Sequence, residues 1–223
     1  MLAVECVRQK CADLGMSIPA PTGIVGVLLA AGRGRRMGRL KQLLPWPPGA
    51  SADGSTVVES SFDAIAPHCD EMIVVVGAEA AVVAGALGPR RFRIVQADPD
   101  AEMFHSVRAG LVEARQCAGV AAAVVHPADQ PAVRSQTVRM LLHEQQARPN
   151  RAVMPEFGGR GGHPVVIPTS LFDAILAFEN DGGLREFWRQ RPQRCLRVEV
   201  LDPGVRLDLD HPEDYRTAGV DKM

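Results

Sequence analysis

The sequence has no apolar run long enough to span a bilayer, so no membrane-spanning helix organises it. It has no CxxC pair. Its five cysteines stand apart at Cys6, Cys11, Cys69, Cys117 and Cys195. An odd, scattered set points to a reducing cytoplasm rather than a disulfide frame. Net charge is nearly absent, −1 over 223 residues, which removes any general attraction to nucleic acid or an anionic membrane. There is no G-x-S-x-G elbow and no Ser-His-Asp order, and nothing supports a cysteine nucleophile. The histidines at 68, 126, 143 and 211 show no metal-ligand spacing, and repeats and low-complexity tracts are missing. The first sixteen residues carry Glu5, Arg8, Lys10 and Asp13 and so lack the apolar core expected of a signal peptide.

What is present is 46% hydrophobic and 23% charged, enough for one globular domain with a proper core. Residues 1–22 read as an extension. Leu2, Cys6 and Leu14 suit a weak amphipathic helix that Pro19 and Pro21 end. From residue 23 to 223, apolar strands alternate with helical patterns. Buried strands are expected near Ile24–Ala31, Met72–Gly77, Phe92–Val95, Ala121–His126, Ala152–Pro155, His163–Pro168 and Cys195–Val200. Thr56 with Glu59 forms a capping-box pattern, and Ser106 and Ser135 are placed to cap the helices they open. Near-continuous apolar strands between helices predict a three-layer α/β/α sandwich with a mainly parallel sheet.

The densest chemistry follows the first strand. In VGVLLAAGRGRRMGRLKQLLP, Gly32, Gly34 and Gly38 are interleaved with Arg33, Arg35 and Arg36, and Arg39 and Lys41 follow. Glycines let backbone N–H groups converge on an anion, and the cations add full charge. A solvated basic turn would not need five cations among three glycines. Two familiar phosphate loops fail here. Gly38 is followed by Arg39 and Leu40 instead of Lys-Ser/Thr. Met37 stands where the last glycine of G-x-G-x-x-G belongs, and Asp53 lies in a Pro/Gly/Ser-rich loop instead of closing a second strand. Ligands of open α/β sheets sit beyond the carboxyl ends of the strands. That puts the Gly32 loop and Asp129, in PADQP, on one edge. Asp129 is either an Asx-turn residue or a magnesium carboxylate. A basic loop on the same edge favours the metal.

LAAGRGRRMGRLK, Leu29 to Lys41, resembles the L-A-A/G-G-x-G/S-x-R-M-G-x-x-K signature of nucleotidyltransferases akin to the molybdenum-cofactor cytidylyltransferases and guanylyltransferases. The resemblance covers most of the chain after Gly23. It implies a Rossmann-like nucleotidyltransferase fold over residues 23–223 and a nucleotide site at Leu29, Ala30, Ala31, Gly32, Arg33, Gly34, Arg36, Met37, Gly38 and Lys41. Arg36 and Lys41 would neutralise phosphate charge. PADQP resembles the family's metal-binding segment at Asp129. LDLDHPEDY resembles its closing D-x-D-T-P-E-D motif, with His211 for threonine. That implies a second magnesium ligand at Asp210 in preference to Asp208, while the residues alone suit Asp210 as a helix cap with Pro212 in the first turn. Gly162-His163-Pro164 and Asp181-Gly182-Gly183 resemble segments flanking the acceptor, although Asn180 replaces a glycine and Leu184 an alanine, and His163 by itself reads equally as a packed histidine. Ser106 is either a nucleotide contact or the helix cap. The resemblance implies a cytoplasmic Mg²⁺-dependent enzyme that transfers CMP from CTP to molybdopterin. Its product would serve a client molybdoenzyme, and neither nucleic acid nor membrane is expected as a partner. A GTP-using relative, an NAD-binding oxidoreductase and a non-catalytic nucleotide-binding chaperone are the alternatives.

Overall fold

The computed structural model describes residues 22–32, 40–50, 54–179, 182–209 and 211–218. The extension expected over residues 1–22 therefore lies outside the described residues, except for Thr22.

The first strand, β1 (Gly23–Ala30), is nearly all buried and sits in the middle of a sheet. It pairs in parallel with β2 (Glu71–Val76) and with β4 (Val120–Pro127). Beyond β2 lies β3 (Arg93–Gln96), again parallel. On the other side β4 meets β7 (Val165–Pro168) antiparallel. Next comes β5 (Ala152–Phe157), which pairs with β7 and with the two-residue β6 (Arg160–Gly161), antiparallel in both cases, and with β8 (Cys195–Glu199) in parallel. The sheet is thus mixed, with a parallel body as the sequence suggests. The antiparallel entry of β7 is the departure.

Burial on both faces of β1 follows from its lack of charge, and the pleat sorts its residues. Val25, Val27 and Leu29 face one core with Ile73, Val75, Val107 and Leu111. That core is closed by α3 (Met103–Ala114), α5 (Phe172–Leu176) and α6 (Gly183–Gln190). Ile24, Leu28 and Ala30 face the opposite core with Val58, Phe62, Leu87 and Leu141. There α1 (Val57–Ile65), α2 (Ala80–Leu87) and α4 (Ser135–Ala147) cover the sheet. This is the expected three-layer arrangement. Helix α3 lies so close to β1 that a Cβ at Gly110 would fall 2.3 Å from Val27 Cγ1.

The helix starts are partly as the sequence suggests. Thr56 caps α1 through a full box: Thr56 N–H donates to Glu59 Oε2 at 2.8 Å and Glu59 N–H to Thr56 Oγ1 at 3.4 Å. Ser106 is not a cap. Helix α3 already begins at Met103, so Ser106 is buried inside its first turns. Ser135 is the first residue of α4 and caps nothing there; its hydroxyl pairs with His68 Nε2 at 2.7 Å. The last helix, α7 (Pro212–Thr217), starts with the expected proline, but its N-cap is His211, not Asp210. His211 N–H donates to Asp214 Oδ2 at 2.7 Å.

Candidate functional site

At the carboxyl ends of β1 and β4 the chain gathers its polar chemistry. Leu29 and Ala30 end β1, buried, and Ala31 follows at 8% exposure. Here β2 is followed by Gly77, where a Cβ would lie 2.5 Å from the Ala31 carbonyl oxygen, so only glycine lets the two strand ends approach this closely. Gly32 opens the loop, and its carbonyl accepts from Gln42 Nε2 at 3.1 Å. Gln42 is 3% exposed, so this bond pins the far end of the basic loop back to its start. Arg33, Gly34, Arg36, Met37 and Gly38 lie outside the described residues.

Lys41 opens a short 3₁₀ turn, Lys41–Leu43, and its ammonium reaches Asp129 Oδ2 at 2.5 Å. The two residues are 88 apart in sequence, and their side chains are only 11% and 21% exposed. The segment behind the lysine is held by packing. Leu44 and Trp46 bury against Val57 and Leu209, with Tyr215 beside them. Tyr215 Oη donates to the Pro45 carbonyl at 2.5 Å.

Asp129 sits on a turn fixed from three directions. Ala128 N–H donates to the Leu29 carbonyl at 3.0 Å, extending the β1–β4 ladder past the strand ends. Leu209 N–H donates to the Asp129 carbonyl at 3.3 Å. His126 Nε2 lies 3.1 Å from the Gln130 carbonyl, which can only accept, so the proton is on Nε2. The closing segment is tied to the turn once more, because Gln130 Nε2 donates to Asp208 Oδ1 at 2.5 Å. A buried carboxylate, Asp202, anchors the approach to that segment, accepting from Thr137 Oγ1 at 2.6 Å and from the backbone N–H groups of Arg134 and Gly204. Asp210 lies outside the described residues.

Two histidines beside the turn are kept neutral. Burial drives His126 down to about 3, with His163 adding to the effect. Burial likewise drives His163 down to about 4, partly offset by the Asp129 charge. Both folded values lie below the ordinary histidine value, so unfolding takes up protons as the pH falls from about 6.5 toward 4. Stability from these groups is therefore full above about pH 6.5 and declines as the pH falls through that window. Melting temperatures recorded from pH 7.5 to 4.5 should show this decline, and a His126→Gln protein should show a shallower one.

The acceptor candidates divide into two places. Gly162 and His163 are held by the closing segment: His163 N–H donates to the Val205 carbonyl at 2.9 Å, and a Cβ at Gly162 would lie 2.2 Å from that same oxygen. Together with buried Pro164 they stand next to β7, on the Asp129 side of the sheet. Gly182 and Gly183 start α6, Gly183 with φ +56°, against Phe104 in the first turn of α3. Ser106, 5% exposed, lies two residues further along α3. Asp181 is outside the described residues.

A divalent cation fits the Asp129 corner on the chemistry of its donors. Among the described residues no group of three or more His, Cys, Asp or Glu side chains converges, so these residues form no closed cage. A hard cation that takes one or two carboxylates and completes its shell with phosphate oxygens and water needs none. Three of the buried atoms without partners, Gln42 Oε1, Gln130 Oε1 and His126 Nδ1, are acceptors suited to water or other donors. Sequence reasoning missed Gln42, Gln130 and Asp202, because each bonds to a residue that only the fold brings near. Cys69 and Cys195 are disfavoured as thiol nucleophiles, since burial pushes Cys69 up to about 12 and Cys195 up to about 11.

A family model described as the MobA-like NTP transferase domain matches residues 26–195. Nicotine blue oxidoreductase of Paenarthrobacter nicotinovorans is 33% identical over 203 residues, 86% of this chain and 95% of that protein. The purine catabolism protein PucB of Bacillus subtilis is 27% identical over 202 residues, 86% and 94% of the two chains. The molybdenum cofactor cytidylyltransferase of Escherichia coli is 24% identical over 196 residues, 86% and 93% of the two chains. Among solved structures, Rv0371c from Mycobacterium tuberculosis superposes with TM-score 0.73 at 28% identity over 89% of this chain and 99% of that one. A nucleotidyl transferase from Methanothermobacter thermautotroptrophicus gives TM-score 0.73 at 27% identity over 88% and 95%. A manganese complex of Rv0371c gives 0.68 at 25% identity over 90% and 100%. The chain belongs to the family of MobA-like NTP transferase domains and is a nucleotidyltransferase.

Proposed function

We propose that this transferase moves a cytidylyl group from CTP to the terminal phosphate of molybdopterin, the molybdenum being part of that substrate. Residues 23–223 form the catalytic domain in this reading and residues 1–22 an extension to it. The observation that carries it is the meeting of Lys41 and Asp129 at the carboxyl edge of the sheet, beside the exit of β1 at Leu29–Ala31. An oxygen of the acceptor phosphate attacks the α-phosphorus of CTP in line. The bond from the α-phosphorus to the bridging oxygen breaks, and pyrophosphate leaves. Such a transfer depends on positioning and on charge neutralisation more than on a strong base. Arg36 and Lys41 neutralise phosphate oxygens, and the backbone amides from Gly32 to Gly38 cradle them. Asp129 and Asp210 would hold Mg²⁺, whose charge offsets that of the phosphates. Gly162, His163, Pro164, Asp181, Gly182 and Gly183 border the acceptor, and Ser106 borders the nucleotide. The scattered cysteines suit a cytoplasmic enzyme, and its product suits a client molybdoenzyme. The cytidylyltransferase of Escherichia coli among the relatives supports the choice of acceptor.

The preference for CTP rests on Ala31. In the resemblance, Leu-Ala-Ala-Gly accompanies CTP and Leu-Ala-Gly-Gly accompanies GTP. A methyl at this strand exit restricts both space and φ, which suits the smaller pyrimidine. One methyl discriminates by about 1–3 kcal/mol, roughly ten- to two-hundredfold. Pyrophosphate release should be screened with four triphosphates against molybdopterin, in wild type and Ala31→Gly. CTP should give the highest kcat/KM, and Ala31→Gly should narrow its lead over GTP. A wild-type preference for GTP would overturn the cytidylyl assignment.

A second reading is favoured by one observation, the 33% identity to a protein named an oxidoreductase. Met37 and the missing ribose carboxylate argue against a nicotinamide site here. NADH and NADPH belong in the same screen, and their oxidation without pyrophosphate release would select that reading. Nucleotide binding with no turnover would select the chaperone.

A further inference from the structure

We propose that Gln130 is a positioning residue for this reaction, its side-chain amide clamping the closing segment around Asp208 onto the Asp129 turn. The inference rests on the transferase reading of the Lys41–Asp129 corner. Gln130 is 2% exposed and donates through Nε2 to Asp208 Oδ1, 78 residues away, at 2.5 Å. An ionised carboxylate can only accept, so the amide is fixed with its NH₂ toward Asp208 and its carbonyl oxygen turned away. That oxygen is buried and has no partner. A buried acceptor left unsatisfied costs stability, and an apolar side chain of the same length would avoid the cost. The glutamine is therefore explained by its hold on Asp208.

That hold reaches the reacting corner through short links. His126 fixes the Gln130 carbonyl, and Leu209 N–H fixes that of Asp129. The Leu209 side chain is fully buried against Leu44 and Trp46, which directly follow the Lys41 turn. The closing segment thus touches both sides of the Lys41–Asp129 pair, and Gln130 ties it to the aspartate side. Releasing the amide lets the segment shift, and the lysine and the carboxylate lose their common register. In phosphoryl chemistry a small displacement of this kind lowers kcat more than it raises KM.

The test is a reciprocal swap read by pyrophosphate release, with folding of each variant followed by circular dichroism and melting. Gln130→Glu sets two carboxylates against each other and should lower kcat about tenfold or more, with KM for CTP within about threefold. Asp208→Asn alone still offers an acceptor and should cost less. The double variant Gln130→Glu with Asp208→Asn restores the bond with its direction reversed and should recover most of the lost kcat. If Gln130→Glu does not fold, Gln130→Met takes its place: it should fold at least as stably as wild type yet turn over slowly. A folded Gln130→Met protein with wild-type kcat, or a folded swap no better than Gln130→Glu, overturns the proposal. So does loss of all turnover in Asp208→Asn, which would make Asp208 a ligand in its own right. Absence of pyrophosphate release from wild type with every triphosphate is a different failure, that of the transferase reading itself.

Discussion

Asp129→Asn is expected to abolish metal-dependent turnover in a protein that still folds. The turn that carries Asp129 is held by backbone bonds from Ala128 and Leu209 and by His126, none of which uses the carboxylate. An asparagine oxygen can still accept from Lys41, so the local shape survives. What goes is the charge that holds a hard cation, and an amide is a poor substitute. The expected loss is at least about a hundredfold in kcat, the scale for removing one electrostatic contact to a transferring phosphate. The measurement is pyrophosphate release titrated with Mg²⁺. Near wild-type activity at saturating Mg²⁺ would mean that Asp129 only shapes the turn.

Lys41→Ala should cost a similar factor for a related reason. Lys41 is 9% exposed, so its ammonium is poorly hydrated and its charge acts at close range. That charge rests on Asp129 at 2.5 Å. In the proposed reaction the same ammonium would be needed by a phosphate, and Asp129 by the metal. Removing the lysine should therefore have two opposite effects. Turnover falls about a hundredfold or more. Affinity for Mn²⁺ alone, measured by electron paramagnetic resonance without nucleotide, rises because the carboxylate has lost its neutralising partner. Unchanged turnover by a folded Lys41→Ala protein would remove Lys41 from the site.

Much of this was legible in the sequence because the signals were local. β1 announces itself as an uncharged run ended by glycine. The Thr56–Glu59 box needs only a spacing of three. The rule that ligands sit at carboxyl strand ends was enough to bring Lys41 and Asp129 to one edge. Direction was not legible for β7, since an apolar run such as VVIP reads the same in a parallel or an antiparallel ladder. Caps were misplaced at Ser106, Ser135 and Asp210 because a good capping residue one to four positions from the true N-cap gives the same local pattern. The bonds of Gln42, Gln130 and Asp202 depend on loops meeting in space, and no spacing in the chain encodes them. The arginines between Gly32 and Lys41, with Asp181 and Asp210, lie outside the described residues, so their proposed roles rest on the motif.

The contact between Tyr215 and Pro45 joins residues 170 apart. Together with Leu209 it covers Leu44 and Trp46, which are otherwise apolar groups beside a cationic loop. During synthesis those groups emerge long before their cover exists. At about 5–20 residues per second the interval is roughly 10–35 s. Through that time the nascent chain presents Leu44 and Trp46 uncovered next to several arginines, a pattern suited to chaperone capture. The segment that follows Lys41 gains this part of its cover only after the Leu209–Tyr215 region has been made, so its packing is among the last to be completed in the growing chain.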